Sequence, residues 1–347
     1  MIILLTREEF RKSVFDRDHC CVACSKITSL NAHHIIDRVL WPDGGYYLDN
    51  GACLCEECHL LAEKTLLSCD EIRNLAHIQK VHYPEHFFED EVYDKWGNII
   101  LPSGMRVKGE LYGEANLRKI LPEAVLNSFL THVKYPRTYH VPWSENLKND
   151  DRRHSDMLFF FDKEIVGTIK LDGESCSIYS DYIHARSLDS KHHESRAWVK
   201  ALQGRISHEI PDGWRICGEN MFAKHSIHYN NLETYFYVIS IWNQNNIALS
   251  WDDTIDYAGI LGLSTVPVFF RGVWEHTTPA DLETAYKKYQ EASPDPVEGY
   301  VIRTTNMVTY KDFRRSYAKW VRKGHVQSSQ FWMHEKIVPN RLKHKES

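Results

Sequence analysis

The chain has 347 residues, with 42 Lys+Arg against 47 Asp+Glu, a formal charge of −5 and 43% apolar residues, which suits a soluble globular chain of about two domains. No run approaches the roughly 18 consecutive apolar residues of a membrane span. Arg7, Glu8 and Glu9 stand where a signal peptide would continue its apolar core, so the expected compartment is the cytoplasm and no membrane partner is expected. The negative balance excludes a generic polycation, yet residues 1–94 hold 9 basic against 17 acidic side chains and residues 303–345 hold 11 against 2. A polyanion would meet the C-terminal part first.

Seven of the nine cysteines lie at or before Cys69, and in a chain without export signals that concentration points to metal rather than disulfides. Cys21-x2-Cys24 and Cys55-x2-Cys58 have the spacing of two knuckles presenting four thiolates to one tetrahedral zinc. Cys20 and Cys53 offer alternative ligands, and a thiol cluster without metal is the competing reading. A module of this size needs such a staple, because a chain under about 80 residues rarely buries enough core.

Between and beside the knuckles come His33, His34, Asn50-Gly51 and His59. Over residues 15–65 this order resembles the HNH family of metal-dependent nucleases, in which zinc knuckles can frame a ββα unit. The resemblance implies His34 as the base that activates water, Asn50 as its orienting group, and His33 with His59 as ligands of a divalent cation at the scissile phosphate. A module that docks nucleic acid without cutting it is the alternative, and the acidic surroundings weaken nonspecific binding of DNA.

Residues 83–116 are polar and aromatic with scattered Gly and Pro, and read as a connector with some strand. Beyond them MLFFF (157–161), Asp162-Lys163 and IVGTIK (165–170) suggest a hairpin, and TYFYVISIW (234–242), VPVFFRGVW (266–274) and EGYVIR (298–303) suggest further strands. Trp198, Val199, Leu202, Ile206 and Ile210 share one helical face over 194–210. Thr278-Pro279-Ala280-Asp281 reads as an N-cap, first-turn proline and capping box opening a helix to about 292. The expected class is α+β with a mainly antiparallel sheet. The expected divisions are a zinc-stapled ββα module over 1–85, a connector over 86–125 and a larger domain over 126–347.

Lys170-Leu171-Asp172-Gly173 is by itself a weak four-residue signal. Arg186, Glu219, the aromatic strand around Phe236, Glu298 and Lys319 follow in order, and KYPRTYHVPWS (134–144) precedes it. Over 130–335 this series resembles the RNA ligase branch of the covalent nucleotidyltransferase superfamily. The resemblance implies that Lys170 attacks the α-phosphate of ATP and carries AMP, that Glu298 holds Mg2+ or Mn2+, that Glu219 and Arg186 meet the ribose, and that Lys319 meets the α-phosphate. Phe236 is the candidate to stack on adenine, with Tyr235 and Tyr237 one residue away and core packing as the competing role. A free lysine sits near pKa 10.4, so a neighbouring cation such as Lys319, or a metal, is expected to lower it.

Two departures from the family stand out. A second lysine is missing close behind Lys319, leaving Arg322 or Lys323 as candidates, and only 24 residues follow Lys323, too few for the OB domain of DNA ligases and capping enzymes. Arg314, Arg315, Arg322, Lys323, Lys336 and Arg341, with Trp320, Phe331 and Trp332, could line a path for polynucleotide phosphates. The function implied is ATP-dependent joining of RNA 5′-phosphate and 3′-hydroxyl ends. A DNA ligase or other polynucleotide nucleotidyltransferase, and an inactive nucleic-acid-binding protein, are the alternatives.

Overall fold

The computed structural model describes residues 3–144, 147, 151–188, 190, 193–322 and 337–343. Lys323, Phe331, Trp332 and Lys336 lie outside them. The chain divides into two compact units, Met1–Thr131 and His132–Ser347. No helix among the described residues is long and apolar enough to cross a membrane.

In the first unit, α1 (Arg7–Asp18) opens on a capping box in which Thr6 and Glu9 satisfy each other's backbone amides. Its Phe10 and Val14 are buried with Cys53 against the hairpin of β1 (Leu30–His34) and β2 (Gly51–Cys55). Helix α2 (Glu56–Glu63) follows β2 without a linker, and α3 (Cys69–Leu75) starts on a second capping box, Ser68 with Glu71. The segment read as a connector belongs to this unit. It supplies the antiparallel sheet of β3 (Val92–Tyr93), β4 (Ile99–Ile100) and β5 (Arg106–Val107), followed by α4 (Ala115–Ile120) and α5 (Glu123–Leu126).

The second unit has two sheets. In the first, the order is β14 (Val268–Val273), β7 (Glu164–Lys170), β15 (Gly299–Thr304), β17 (Tyr317–Val321) and β6 (Tyr139–His140), antiparallel except for β17 with β6. In the second, β16 (Val308–Thr309), β12 (Ile247–Ala248), β11 (Phe236–Trp242), β10 (Arg215–Asn220), β8 (Glu174–Ile178) and β9 (Ile183–Ala185) run in order, with β13 (Ser264–Thr265) parallel to β11. Ile169, Tyr300 and Ile302 of the first sheet share one buried cluster with Tyr237 of the second. Helix α6 (Ala197–Ile206) buries Val199, Leu202 and Ile206 against the other face of the second sheet, joined there by Ala258 of α7 (Trp251–Ile260). The short α9 (Phe313–Ser316) leads into β17.

Two local expectations change. MLFFF is not a strand: Leu158–Phe160 is a single 3-10 turn, which buries Met157 and Phe160 three residues apart and leaves Leu158 exposed. Strand β7 pairs instead with β14 and β15. Helix α8 (Thr278–Ala292) begins at Thr278 itself, whose hydroxyl accepts from the Glu275 amide at 2.7 Å, and Thr277 takes the cap position without a side-chain bond.

Candidate active site and cation sites

Strand β7 ends at Lys170 in one sheet and β8 begins at Glu174 in the other, so Leu171, Asp172 and Gly173 cross from sheet to sheet. Gly299 pairs with Lys170 across the ladder, which sets the preceding Glu298 beside the amine. Only glycine fits there, because a Cβ on Gly299 would lie 2.0 Å from the Trp320 carbonyl oxygen. Lys170 Nζ donates to Glu298 Oε2 at 2.5 Å, and Glu298 is 1% exposed. From the second sheet, Glu219 Oε1 accepts from the Gly173 amide at 3.2 Å. Asp172 turns away to hold a loop: its Oδ2 accepts from Ser226 Oγ at 2.7 Å and from the Ile227 amide at 2.8 Å, and its own amide donates to the Tyr229 hydroxyl.

That loop is clasped from behind by residues 337–343. Asn340 Oδ1 accepts from the Tyr229 amide, and its Nδ2 donates to the Met221 and Ala223 carbonyls.

The electrostatics of the amine differ from the expectation. Burial disfavours the Lys170 ammonium, but Glu298, Glu219 and Asp172 outweigh burial and hold its pKa above the ordinary lysine value. In the nucleotide-free protein Lys170 is therefore a charged partner of Glu298 rather than an amine depressed by Lys319. Burial pushes the Glu219 carboxyl up to about 8, with Glu298 and Asp172 adding and Lys170 opposing. Burial, and then the Lys170 charge, lowers Lys319, while Asp151 acts against both.

Phe236 is fully buried in the cluster with Val199, Leu202 and Ile206, its ring directly over Gly218. It belongs to the core and cannot stack on a base. Strand alternation turns Tyr237 to the opposite face, opposite Glu219 in the ladder. Arg186 is exposed just after β9 and makes no hydrogen bond or ion pair among the described residues. Arg322 donates its amide to the Glu298 carbonyl, and its charge acts on Tyr286. Trp320 stacks on Tyr300 at 5.4 Å and packs, partly buried, on the core, and Arg315 pairs with Asp312 at 2.8 Å.

In the first unit the Cys21, Cys24, Cys55 and Cys58 sulfurs all lie within 4.8 Å of one another. A tetrahedral zinc with Zn–S of about 2.3 Å sets its sulfurs about 3.8 Å apart, so this donor set fits that ion. Burial acts to raise the Cys21 thiol, but amides of Cys55, Ala23 and Cys24 with the Cys24 side chain bring it down to about 7.

His33, His59 and Glu63 form a second group within the same limit. Glu63 is missing from the sequence reading, although His59-x3-Glu63 places both on one face of α2. Neither ring nitrogen of the buried His33 has a hydrogen-bond partner. A cation from the chain is already present: Lys95 Nζ stands 3.3 Å from Glu63 Oε1 and donates to the His34 carbonyl at 2.9 Å.

His34 points away from His33 along β1, stacked on Phe10 at 4.6 Å with Tyr46 at its edge, and burial lowers it to about 4. The Asn50 amide is not free to orient water. Its Oδ1 accepts from the Ile36 amide and its Nδ2 donates to the Ile36 and Gly45 carbonyls, stapling the loop between β1 and β2.

Residues 163–321, under half of the chain, match the family model described as RNA ligase. No curated protein matches. Among solved structures, an archaeal ATP-dependent RNA ligase aligns at 13% identity and TM-score 0.37, over 54% of this chain and 48% of its own. A Naegleria gruberi RNA ligase mutant with ATP and Mn aligns at 16% and 0.33, over 48% and 51%. An Aquifex aeolicus protein provisionally named an ATP-dependent DNA ligase aligns at 15% and 0.36, over 54% and 49%. This chain thus spans about half the length of each of these three structures.

Proposed function

We propose that this protein is an ATP-dependent RNA ligase that joins 5′-phosphate and 3′-hydroxyl ends through a lysyl-AMP intermediate. The observation that carries the reading is the 2.5 Å pair of Lys170 with the buried Glu298, flanked by Glu219, inside the segment that matches the RNA ligase model. A P–N bond forms between Lys170 Nζ and the α-phosphorus as the P–O bond to pyrophosphate breaks, and pyrophosphate leaves with that electron pair. The ammonium must first give up its proton, and Glu298, its hydrogen-bond partner, is positioned to take it.

Mg2+ or Mn2+ held by Glu298 would supply charge neutralisation of the triphosphate. Lys319 meets the charge that develops on the α-phosphate, and Glu219 with Arg186 meets the ribose. AMP then passes to an RNA 5′-phosphate, and attack by the 3′-hydroxyl seals the strand and releases it.

The first unit is read as an HNH-like module in which zinc on Cys21, Cys24, Cys55 and Cys58 secures β1, β2 and α2, with His33, His59 and Glu63 as ligands of a second cation. Docking of nucleic acid is favoured over cutting, because His34 is stacked on Phe10 with Tyr46 at its edge.

Incubation with α-labelled ATP followed by denaturing electrophoresis tests the central claim: label is expected on the wild type and none on Lys170→Ala. An unlabelled wild type, folded and supplied with divalent metal, overturns it. Sealing of nicked DNA but of no RNA substrate would replace RNA ligase with DNA ligase.

A further inference from the structure

Lys319 has a second set of neighbours that lie before the segment matched to the RNA ligase model. Strand β6 runs parallel to β17 and sets His140 opposite Lys319, whose carbonyl accepts from the Val141 amide at 2.9 Å. The chain returns past β6 at residues 151–154: the His140 amide donates to the Arg152 carbonyl, and the His154 amide to the His140 carbonyl. This return brings Asp151 Oδ1 to 3.5 Å from Lys319 Nζ and 3.3 Å from His140 Nε2. His140 Nδ1 lies 2.9 Å from Ser144 Oγ, and both of those residues are buried. Four polar side chains thus form a line, Ser144, His140, Asp151 and Lys319, that ends at the cation assigned to the α-phosphate. Holding two ionised groups this far from water is costly unless each is matched.

Resting on that assignment of Lys319, we propose that Asp151 and His140 are positioning residues for it: Asp151 keeps the Lys319 ammonium charged and aimed until a phosphate takes over, and His140, pinned by Ser144, steadies Asp151. Among the described residues, the charged groups that act on Lys319 are Lys170 at the end of β7, Glu298 before β15, and Asp151. Burial and Lys170 disfavour its charge, while Asp151 and, more weakly, Glu298 favour it. Burial lowers His140 to about 4, with Lys319 adding and Asp151 opposing, so the ring is neutral near pH 7. The Nε2 edge faces the Asp151 carboxylate at 3.3 Å, outside hydrogen-bond geometry, and Nδ1 is hydrogen-bonded with the Ser144 hydroxyl.

The test is the pH profile of single-turnover labelling of the full chain by α-labelled ATP. In Asp151→Asn the alkaline limb should move down by about one pH unit or more, because Lys319 then loses its proton earlier. Asp151→Glu should restore it, and Lys319→Arg, which keeps its charge, should abolish the limb. A labelled wild type with a superimposable Asp151→Asn profile overturns the proposal. So does a loss that is uniform in pH and not recovered by Asp151→Glu. Should Asp151→Asn fail to fold, an unchanged limb in Lys319→Arg overturns it alone. A wild type that takes no label at all sinks the ligase reading instead.

Discussion

At the scale of single residues, the candidate site is governed by three carboxylates around one amine, and the titration of Glu219 is its most readable consequence. Its folded pKa of about 8 lies above the ordinary 4.5, so the folded state holds the proton more tightly than the unfolded chain. The stability this contributes is complete below about pH 4.5 and is lost as pH rises through about 8. Glu219→Gln cannot ionise. Its melting temperature relative to wild type, in chelator and without nucleotide, is expected to climb across that window, and a pH-independent difference would contradict this.

The acidic and basic members of this group were visible as types in a fixed order. The aromatic was not, because a run of Tyr235, Phe236 and Tyr237 carries no mark of which parity faces the core. Burial of Phe236 over Gly218 decides it.

At the scale of elements, strand register does most of the positioning. Glu298 reaches Lys170 because β15 lies between β7 and β17 with Gly299 at the crossing point. Gly299→Ala would push a methyl group into the Trp320 carbonyl, where backbone cannot yield. It is expected to cost about 3 kcal/mol by urea unfolding and to abolish Lys170 labelling in the fraction that folds. A variant of wild-type stability and labelling would show that the ladder is looser than described.

Strands β7, β11, β14 and β15 were legible because their runs of β-branched and aromatic residues are long. The 3-10 turn at Leu158–Phe160 was not, since five apolar residues fit an i, i+3 pattern as well as alternation. The pairing of β6 with β17 was equally hidden, as two-residue strands leave no pattern and the contact joins distant parts of the chain.

At the scale of the whole molecule, the two units rely on different physics. The second has an extensive apolar core, whereas the first adds a four-cysteine cluster to its buried apolar residues, so zinc held there as proposed would contribute folding energy. Stripping zinc with a chelator is expected to speed hydrogen exchange in β1, β2 and α2 while leaving β7 and β15 protected. Equal loss in both sets, or none in the first, would contradict that division. The paired cysteine spacings made the approach of Cys21, Cys24, Cys55 and Cys58 readable in advance; Lys95 beside Glu63 was not, because it arrives from beyond the expected module boundary.

In the second unit, the Tyr229 amide donates to Asn340 and the Tyr229 hydroxyl accepts from the Asp172 amide, joining the last described stretch to the motif that carries Lys170. If Lys170 carries the proposed chemistry, a mutational scan would accordingly score Asn340 alongside Asp172, and a deletion reaching that asparagine would imitate a lesion at Lys170.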